Sequence, residues 1–373
     1  MLDEHLGYVS DRIRLDRFRA AIAEVLRPGD RVADLGCGTG VLGLLCLQAG
    51  ASHVYAIDAS AILEVARQTL TRAGFGDRTT FVRGLSQRID LPTRVDLVIC
   101  DHVGFFGFDY GILDVLRDAR QRFLANGGRL VPSSIRLHVD AVESLAFHGL
   151  AEAWRGDGVP REYRWLRQAT VNTKHAVRIP RDAVLSAPAV LGELDLAATS
   201  PDFLSWTADL RIIRDGFVHG LGGWFDCALS PGVRMDNSPV SGHAIDRDQA
   251  FLPLDEPIAV RTGDCVTVRV MARPADNLLA WVVAFPSSGR RFSHSTWNGL
   301  LLAPGEPARS RPERVPRLTR EAQAREIALR YCDGTRSAGD IERAVLRDHP
   351  HLFPSTEEVA RFVAQVLARD TDA

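Results

Sequence analysis

One stretch near the N terminus combines closely spaced glycines with acidic residues. Residues 34–40 read Asp-Leu-Gly-Cys-Gly-Thr-Gly, and Asp58 ends the next apolar run. Glycine lets a backbone turn sharply and approach a ligand where a Cβ would collide, and a helix that begins at the turn directs free amide N–H groups toward the same place. A carboxylate at the tip of the second strand can accept hydrogen bonds from ribose hydroxyl groups. The stretch therefore predicts a site for a nucleoside-containing cofactor.

The positions of Gly36, Gly38 and Gly40 distinguish between two kinds of cofactor. A dinucleotide fingerprint is Gly-x-Gly-x-x-Gly, and here the third glycine comes one residue early. Asp34 precedes the loop, where its charge would repel a pyrophosphate but would suit a ligand that carries an ammonium group. Asp-x-Gly-x-Gly-x-Gly is the pattern of enzymes that use S-adenosylmethionine (SAM), so we predict a SAM site. A nicotinamide site and a glycine turn without a ligand are the alternatives.

The composition of the chain argues against several other classes of protein. Its 373 residues carry a net charge of -2, with 46% hydrophobic and 25% charged residues. These values are typical of a globular protein with two or three domains and give no reason to expect nucleic acid. An apolar signal segment and an 18-residue apolar run are both missing, so we expect neither export nor a membrane. Six cysteines without a Cys-x-x-Cys pair predict reduced thiols in the cytoplasm and no metal.

Apolar runs and turn residues predict the elements that position the acidic residues. A helix over 5–26 is expected first, and strands then alternate with helices between residues 32 and 131. This alternation predicts a mostly parallel sheet with helices on both faces. Ligands bind at the carboxyl ends of the strands in such sheets. Those ends carry Asp34, Asp58, Ser86, Gln87, Asp101 and His102.

Three domains are expected from these patterns. Residues 1–132 would form the N-terminal helix and a doubly wound, Rossmann-like SAM-binding domain of the α/β class. Residues 133–302 contain short apolar runs, among them 210–217, separated by Pro, Gly and Asp, which predicts an antiparallel β-barrel or sandwich with a helical insertion at 146–170. Residues 303–373 would form a Pro- and Arg-rich linker and a small helical module of winged-helix or PqqD-like type.

On these residues the chain resembles the protein arginine methyltransferases, in a divergent bacterial form. The resemblance is carried by residues 32–40, Asp58, residues 84–89 and 95–113, and the N-terminal series His5, Tyr8, Asp11 and Arg14. It implies SAM as the cofactor, with Arg14 on the methionine carboxylate, Asp34 near the amino end and Asp58 on the ribose. A homodimer is also implied. The residues implied to bind the cofactor are His5, Tyr8, Arg14, Asp34, Gly36, Gly38, Gly40, Asp58, Ser86 and Gln87.

The loop after the fourth strand departs from the family. The family clamps a guanidinium group between two glutamates nine residues apart, but Asp101 and Tyr110 occupy those positions here. With one carboxylate fewer, the hold on a cation is weaker. The family's Thr-His-Trp loop is reduced to Gly242-His243-Ala244. Asp11 and His243 match positions that pair in the family, so a hydrogen bond between them is expected.

We therefore predict methyl transfer to a nitrogen or oxygen of a small metabolite or peptide, in bacterial natural-product biosynthesis. Arginine N-methylation and a SAM-binding subunit without catalysis are the alternatives. Asp101 is expected to orient the acceptor or take its proton, assisted by His102, His243 and Tyr110. Residues 325–341 resemble half of a PqqD-type peptide-binding module, and helical packing without a ligand is the alternative there.

Overall fold

The chain divides into two compact units in a computed structural model that describes residues 2–198, 201–301, 312–353 and 355–371. The first unit spans residues 1–301 and the second spans residues 302–373. Each unit has a hydrophobic core of its own. Most of the predicted linker, residues 304–311, lies outside the described residues.

Two helices form the N terminus, so the prediction of one continuous helix over 5–26 is wrong. They are α1 (Leu2–Ser10) and α2 (Arg12–Val25). Asp11 interrupts them because its backbone is extended and its carboxylate accepts a hydrogen bond from the N–H of Arg14 at 3.0 Å. Such a side chain satisfies one of the free donors at the start of a helix. The break separates the helix that carries His5 and Tyr8 from the helix that carries Arg14.

A five-stranded parallel sheet follows, as the alternating pattern predicted. Its strand order is β3-β2-β1-β4-β5, so the order reverses between β1 and β4, and a crevice opens at the carboxyl ends there. The bounds of the strands are β1 (Arg31–Leu35), β2 (His53–Asp58), β3 (Thr79–Arg83), β4 (Val95–Cys100) and β5 (Leu124–Val131). The helices between them are α3 (Val41–Gln48), α4 (Leu63–Arg72) and α5 (Ile112–Arg122).

Two antiparallel sheets complete the first unit and share its core. The predicted strand over 210–217 is wrong, because one strand ends at Arg211 and the next begins at Gly216. The predicted helical insertion consists of α6 (Leu145–Glu152), short 3-10 turns and α7 (Arg167–Val171). The first sheet contains β6 (Ser134–Val142), β7 (His175–Val177), β8 (Ala189–Asp195), β10 (Gly216–Ala228), β11 (Arg234–Asp236) and β12 (Gln249–Val260). The second contains β9 (Leu204–Arg211), β13 (Cys265–Arg273), β14 (Leu278–Phe285) and β15 (Arg290–Ser295).

The second unit is helical in its described part. Its helices are α8 (Arg320–Arg330), α9 (Ala338–Asp348) and α10 (Thr356–Asp370). Their apolar faces pack around a small core that includes Val345 and Val363. The resemblance of this unit to peptide-binding modules stays a prediction. Across the described part of the whole chain, none of the helices is long and apolar enough to cross a membrane.

Candidate active site

The three glycines of the turn after β1 serve two purposes. Two of them line a cavity, and the third lets two helices pack closely. Gly36, Gly38 and Gly40 all have positive φ, at 64°, 54° and 80°, which favours glycine. Gly36 and Gly38 line the cavity, and a Cβ on Gly36 would overlap the imidazole ring of His102. A Cβ on Gly40 would instead press on Ala66 of α4 at 3.0 Å. The third glycine therefore serves the packing of α3 against α4.

Asp58, at the end of β2, forms a hydrogen bond with the backbone of the glycine turn. Its Oδ2 accepts a hydrogen bond from the N–H of Gly38 at 3.0 Å, and its Oδ1 accepts from the N–H and the hydroxyl of Ser60, both at 2.8 Å. The side chain also lines the cavity in front of the turn. Asp58 is thus fixed by the backbone of the loop and faces the place predicted for a ribose.

Asp34 lies beneath the turn and is almost fully buried. It is 1% exposed, and its Oδ2 accepts a hydrogen bond from the N–H of Gly43 at 2.8 Å. Burial raises the pKa of this carboxyl group to about 7, although the Gly43 hydrogen bond opposes the shift. Its Oδ1 has no hydrogen-bond partner among the described residues. Asp34 therefore supports the start of α3, and its contact with the amino end of a cofactor stays a prediction.

Two neighbouring cavities lie at the carboxyl ends of β1, β2 and β4. Their volumes are about 300 Å³ and about 400 Å³. The first is closed by α1 and α2 through His5, Tyr8 and Arg14, and the second is lined by Ser86 and Gln87. The structure thus brings most of the predicted cofactor residues to one crevice. Both cavities share Gly36, Asp58, His102 and Tyr110.

Asp101, at the end of β4, is held by two arginines. Its Oδ2 accepts from Nε of Arg14 at 2.6 Å and from Nη2 of Arg247 at 3.1 Å, and Nη1 of Arg247 lies 3.4 Å from Oδ1. The three side chains are only 5–9% exposed. Burial would raise the pKa of Asp101, but the two guanidinium groups hold it at about 2. Asp101 is therefore ionised at neutral pH and is a poor proton acceptor.

Arg247 contacts Asp101 at the candidate site, and the sequence did not reveal it. It lies between β11 and β12, where the flanking Asp246 and Asp248 give the segment the pattern of a charged, exposed loop. Arg247 is nevertheless buried, and its guanidinium carbon lies 5.6 Å from the centre of the Tyr8 ring, while that of Arg14 lies 5.5 Å away. Both distances suit cation–π attraction. Only the antiparallel sheets bring this residue to the end of β4.

The loop after Asp101 is fixed by a second buried ion pair. Asp109 accepts hydrogen bonds from the N–H groups of Phe105 and Phe106 at 2.9 and 2.5 Å and pairs with Lys174, the only lysine in the chain. The side chains of Asp109 and Lys174 are 3% and 10% exposed. Phe106 and Phe108 belong to the hydrophobic core. Asp109 therefore shapes the loop and is not free to bind an acceptor.

His102 and Tyr110 line both cavities and carry groups that could exchange a proton with an acceptor. Burial lowers the pKa of His102, so the neutral imidazole with its free lone pair predominates at neutral pH. Burial raises the pKa of Tyr110, which is 51% exposed and keeps its proton under the same conditions. The neutral His102 fits the role of proton acceptor better than Asp101 does.

His243 is not brought to this crevice. Its side chain is exposed, and its backbone N–H donates to the hydroxyl of Ser241 at 3.1 Å. The predicted hydrogen bond between Asp11 and His243 is wrong, because Asp11 accepts from the backbone N–H of Asp246 at 2.8 Å. The N-terminal helices therefore do contact this loop, but through the backbone N–H of Asp246, which lies three residues after His243.

A larger cavity of about 990 Å³ lies near the beginning of β5. Its guanidinium groups are already engaged, because Arg94 donates to the carbonyl of Leu124 at 2.6 Å and Arg129 pairs with Asp30 at 2.8 Å. No group of three or more His, Cys, Asp or Glu side chains in the described part of the chain could hold a metal ion. The crevice at the ends of β1, β2 and β4 is therefore the candidate active site.

Comparison with known proteins agrees with this geometry. Residues 32–128 match the family profile of a methyltransferase domain. The chain is 31% identical over 280 residues to protein arginine N-methyltransferase 1 of Chlamydomonas reinhardtii, covering 72% of this chain and 80% of that protein. It is 27% identical to the enzyme of the same name from Schizosaccharomyces pombe, covering 73% of this chain and 82% of that protein. The fold also matches a Trypanosoma brucei PRMT1 enzyme–prozyme heterotetrameric complex with AdoHcy, with a TM-score of 0.70 at 22% identity, covering 78% of this chain and 96% of that one.

Proposed function

The chain belongs to the protein arginine N-methyltransferase family and is a SAM-dependent methyltransferase, and we propose that its acceptor is a nitrogen or oxygen of a small metabolite or peptide other than arginine. One observation carries this proposal: both oxygens of Asp101 already bind Arg14 and Arg247. Tyr110, which replaces the second acidic residue of the family, is uncharged at neutral pH. The loop therefore lacks the free pair of carboxylates that a guanidinium acceptor needs.

The residues of the crevice fit the cofactor. Gly36 and Gly38 form a cradle that a side chain would fill, and Asp58 faces it. Among the described residues, Arg14 uses Nε on Asp101 and Nη1 on the carbonyl of Tyr8 at 2.8 Å, so its Nη2 is left for a carboxylate. When bound, SAM supplies a sulfonium methyl group to the acceptor.

The residues of this chain contribute mainly position and proton transfer. Arg14 and Arg247 fix Asp101 at the cavity wall, which orients groups that enter beside it. The neutral His102 can accept the proton that the acceptor nitrogen or oxygen loses. Methyl transfer depends on alignment, and good positioning can supply about 7–11 kcal/mol of the barrier.

A labelled-methyl transfer assay tests the choice of acceptor. One arm contains arginine-rich peptides and free arginine, and the other contains amines, phenols, hydroxyl compounds and peptides without arginine. We expect label only in the second arm, with S-adenosylhomocysteine formed in equal amount. Efficient transfer to arginine would overturn the proposal, and so would binding of S-adenosylhomocysteine without transfer to any acceptor, which would favour a non-catalytic subunit.

Arginine methylation remains the second candidate because of one residue, Glu4. This acidic residue of α1 is exposed and lines the first cavity. Its negative charge contributes to the raised pKa of Tyr8 and of Tyr110, in which burial has the largest part. It could supply a carboxylate that the loop has lost, and the relatives carry the name of arginine methyltransferases. Transfer to arginine peptides that falls at least tenfold in Glu4→Gln would support this candidate.

A homodimer is also proposed, as the resemblance implies. The α6–α7 insertion exposes large apolar side chains, with Leu145 78%, Trp165 63% and Tyr163 53% exposed, and burial of such groups would favour association. Sedimentation of the wild type as a dimer and of Trp165→Glu as a monomer would support it. A cytoplasmic location and a role in natural-product biosynthesis stay predictions.

A further inference from the structure

We propose that Arg247 is a resident guanidinium group that fills the binding position beside Asp101 and thereby excludes guanidinium acceptors. This inference rests on the acceptor proposed above and names the residue that determines it. Arg247 comes from the antiparallel part of the fold, whereas Asp101 directly follows β4 of the parallel sheet. The residue that determines specificity is thus far from the cofactor turn in sequence.

The contacts of Arg247 are those that a bound guanidinium ligand would make. Its Nη2 and Nη1 reach the two oxygens of Asp101 at 3.1 and 3.4 Å, and Nη1 also lies 3.4 Å from the carbonyl of Gly104. Two parallel N–H···O contacts are the way in which a guanidinium group recognises a carboxylate. Tyr8 covers the group, which is 9% exposed. A ligand of the same chemistry would have to displace a side chain that is already in place.

The charge of the cluster acts in the same direction. Two guanidinium groups, Arg14 and Arg247, surround the single carboxylate of Asp101, so the cluster carries one net positive charge. A cationic acceptor would be repelled there, whereas a neutral or anionic acceptor would not. Glu4 is the other acidic side chain near Tyr8, and since it is exposed its charge is largely screened by solvent.

Removal of the Arg247 side chain should reverse this preference. In Arg247→Ala, Asp101 would keep only Arg14, and a space the size of a guanidinium group would lie between Asp101, the carbonyl of Gly104 and the Tyr8 ring. A buried carboxylate that has lost a partner binds a replacement strongly. Methylguanidine has the required charge and shape and is small enough to enter that space.

The test measures methylguanidine binding to full-length protein saturated with S-adenosylhomocysteine. By isothermal titration we expect Arg247→Ala to bind methylguanidine at least tenfold more tightly than the wild type. Arg178→Ala is the matched control, because Arg178 pairs with Asp246 and Asp248, which flank Arg247, and is 52% exposed. It should bind methylguanidine as weakly as the wild type. A gain of methyl transfer to arginine peptides by Arg247→Ala alone would give further support.

The outcomes separate this inference from the proposal on which it rests. In one outcome the wild type does not methylate arginine, and Arg247→Ala binds S-adenosylhomocysteine but gains no affinity for methylguanidine. The role of Arg247 is then contradicted, whereas the acceptor proposal stands. If the wild type methylates arginine peptides, both fail. If Arg247→Ala does not fold, Arg247→Asn decides in the same way, since its polar side chain is too short to fill the guanidinium position beside Asp101.

Discussion

At the scale of the residue, two carboxylates at neighbouring strand ends behave differently because their surroundings differ. Asp34 is buried with one backbone hydrogen bond, and its pKa is raised to about 7. Asp101 is also buried, but two guanidinium groups lower its pKa to about 2. Burial alone favours the neutral acid, whereas a paired cation favours the anion. Asp101 therefore stays ionised at neutral pH, and we expect a different group to accept the proton of the acceptor.

Asp58→Ala should weaken the binding of S-adenosylhomocysteine at least tenfold, which corresponds to about 1.4 kcal/mol. The substitution removes both the carboxylate that faces the predicted ribose position and the hydrogen bond to the N–H of Gly38. Isothermal titration measures the change. Asp77→Ala is the control, since Asp77 is exposed at the opposite end of the neighbouring strand β3 and should leave the affinity unchanged. Equal affinity in both variants would contradict the assignment of the site.

The pH dependence of the methyl transfer rate should report His102. Its pKa is lowered by burial from the ordinary value near 6.5, so its neutral form predominates at pH 7 and is lost only as the pH falls through the lowered pKa. We expect a rate that is flat around neutrality and declines in acid. In His102→Gln the rate should fall about 10²-fold or more and lose that acid limb. His243→Gln should keep the wild-type profile, and a change there instead would assign the role to His243.

At the scale of the element, the loop from Asp101 to Gly111 is held by contacts from other parts of the fold. Lys174 reaches Asp109 from the segment between α7 and β7, and its ammonium group lies 4.8 Å from the centre of the Phe105 ring. The N-terminal helices are held in a similar way, by the hydrogen bond from Asp246 to Asp11. The first contact joins the loop after β4 to the antiparallel part, and the second joins the N-terminal helices to it. The shape of the crevice is therefore a joint property of the two.

Lys174→Met should lower the free energy of unfolding by about 3–5 kcal/mol, because it leaves the carboxylate of Asp109 buried without its cation. Urea denaturation followed by tryptophan fluorescence measures the loss. The double variant Lys174→Met/Asp109→Asn should recover part of it, since no uncompensated charge remains. Arg178→Ala breaks only exposed ion pairs and should cost less than about 1 kcal/mol. A loss of the same size in the control would contradict a special role for the buried pair.

At the scale of the whole molecule, the active-site residues all belong to the unit of residues 1–301. This unit contains the parallel sheet, the antiparallel sheets and their common core. The second unit has its own helices and its own core. Each unit thus has its own core, and the residues proposed to bind the cofactor lie in the first.

A chain shortened to residues 1–301 should fold and bind S-adenosylhomocysteine within about twofold of the full chain, a difference of about 0.4 kcal/mol. The physical reason is that no residue of the crevice comes from the described part of the second unit. Isothermal titration and thermal unfolding of both proteins test this. Loss of cofactor binding on shortening would show that the second unit completes the site.

The sequence alone determined the parallel sheet and the cofactor end of the crevice, because those features depend on local patterns. Gly36, Gly38 and Asp58 lie on one strand–turn–helix–strand segment, so their spacing encodes their geometry. Asp101 could be located because it directly follows β4. The break at Asp11 escaped prediction, since apolar periodicity continues across a capping residue.

Only the tertiary structure decided what faces Asp101. Arg247 follows Asp101 by 146 residues, and its flanking acidic residues resemble those of any exposed loop. Burial, ion pairing and the resulting pKa values depend on which segments pack together, and local patterns do not specify that packing. The proposed exclusion of guanidinium acceptors depends on this distant contact, whereas the glycine turn and Asp58 are close in the chain.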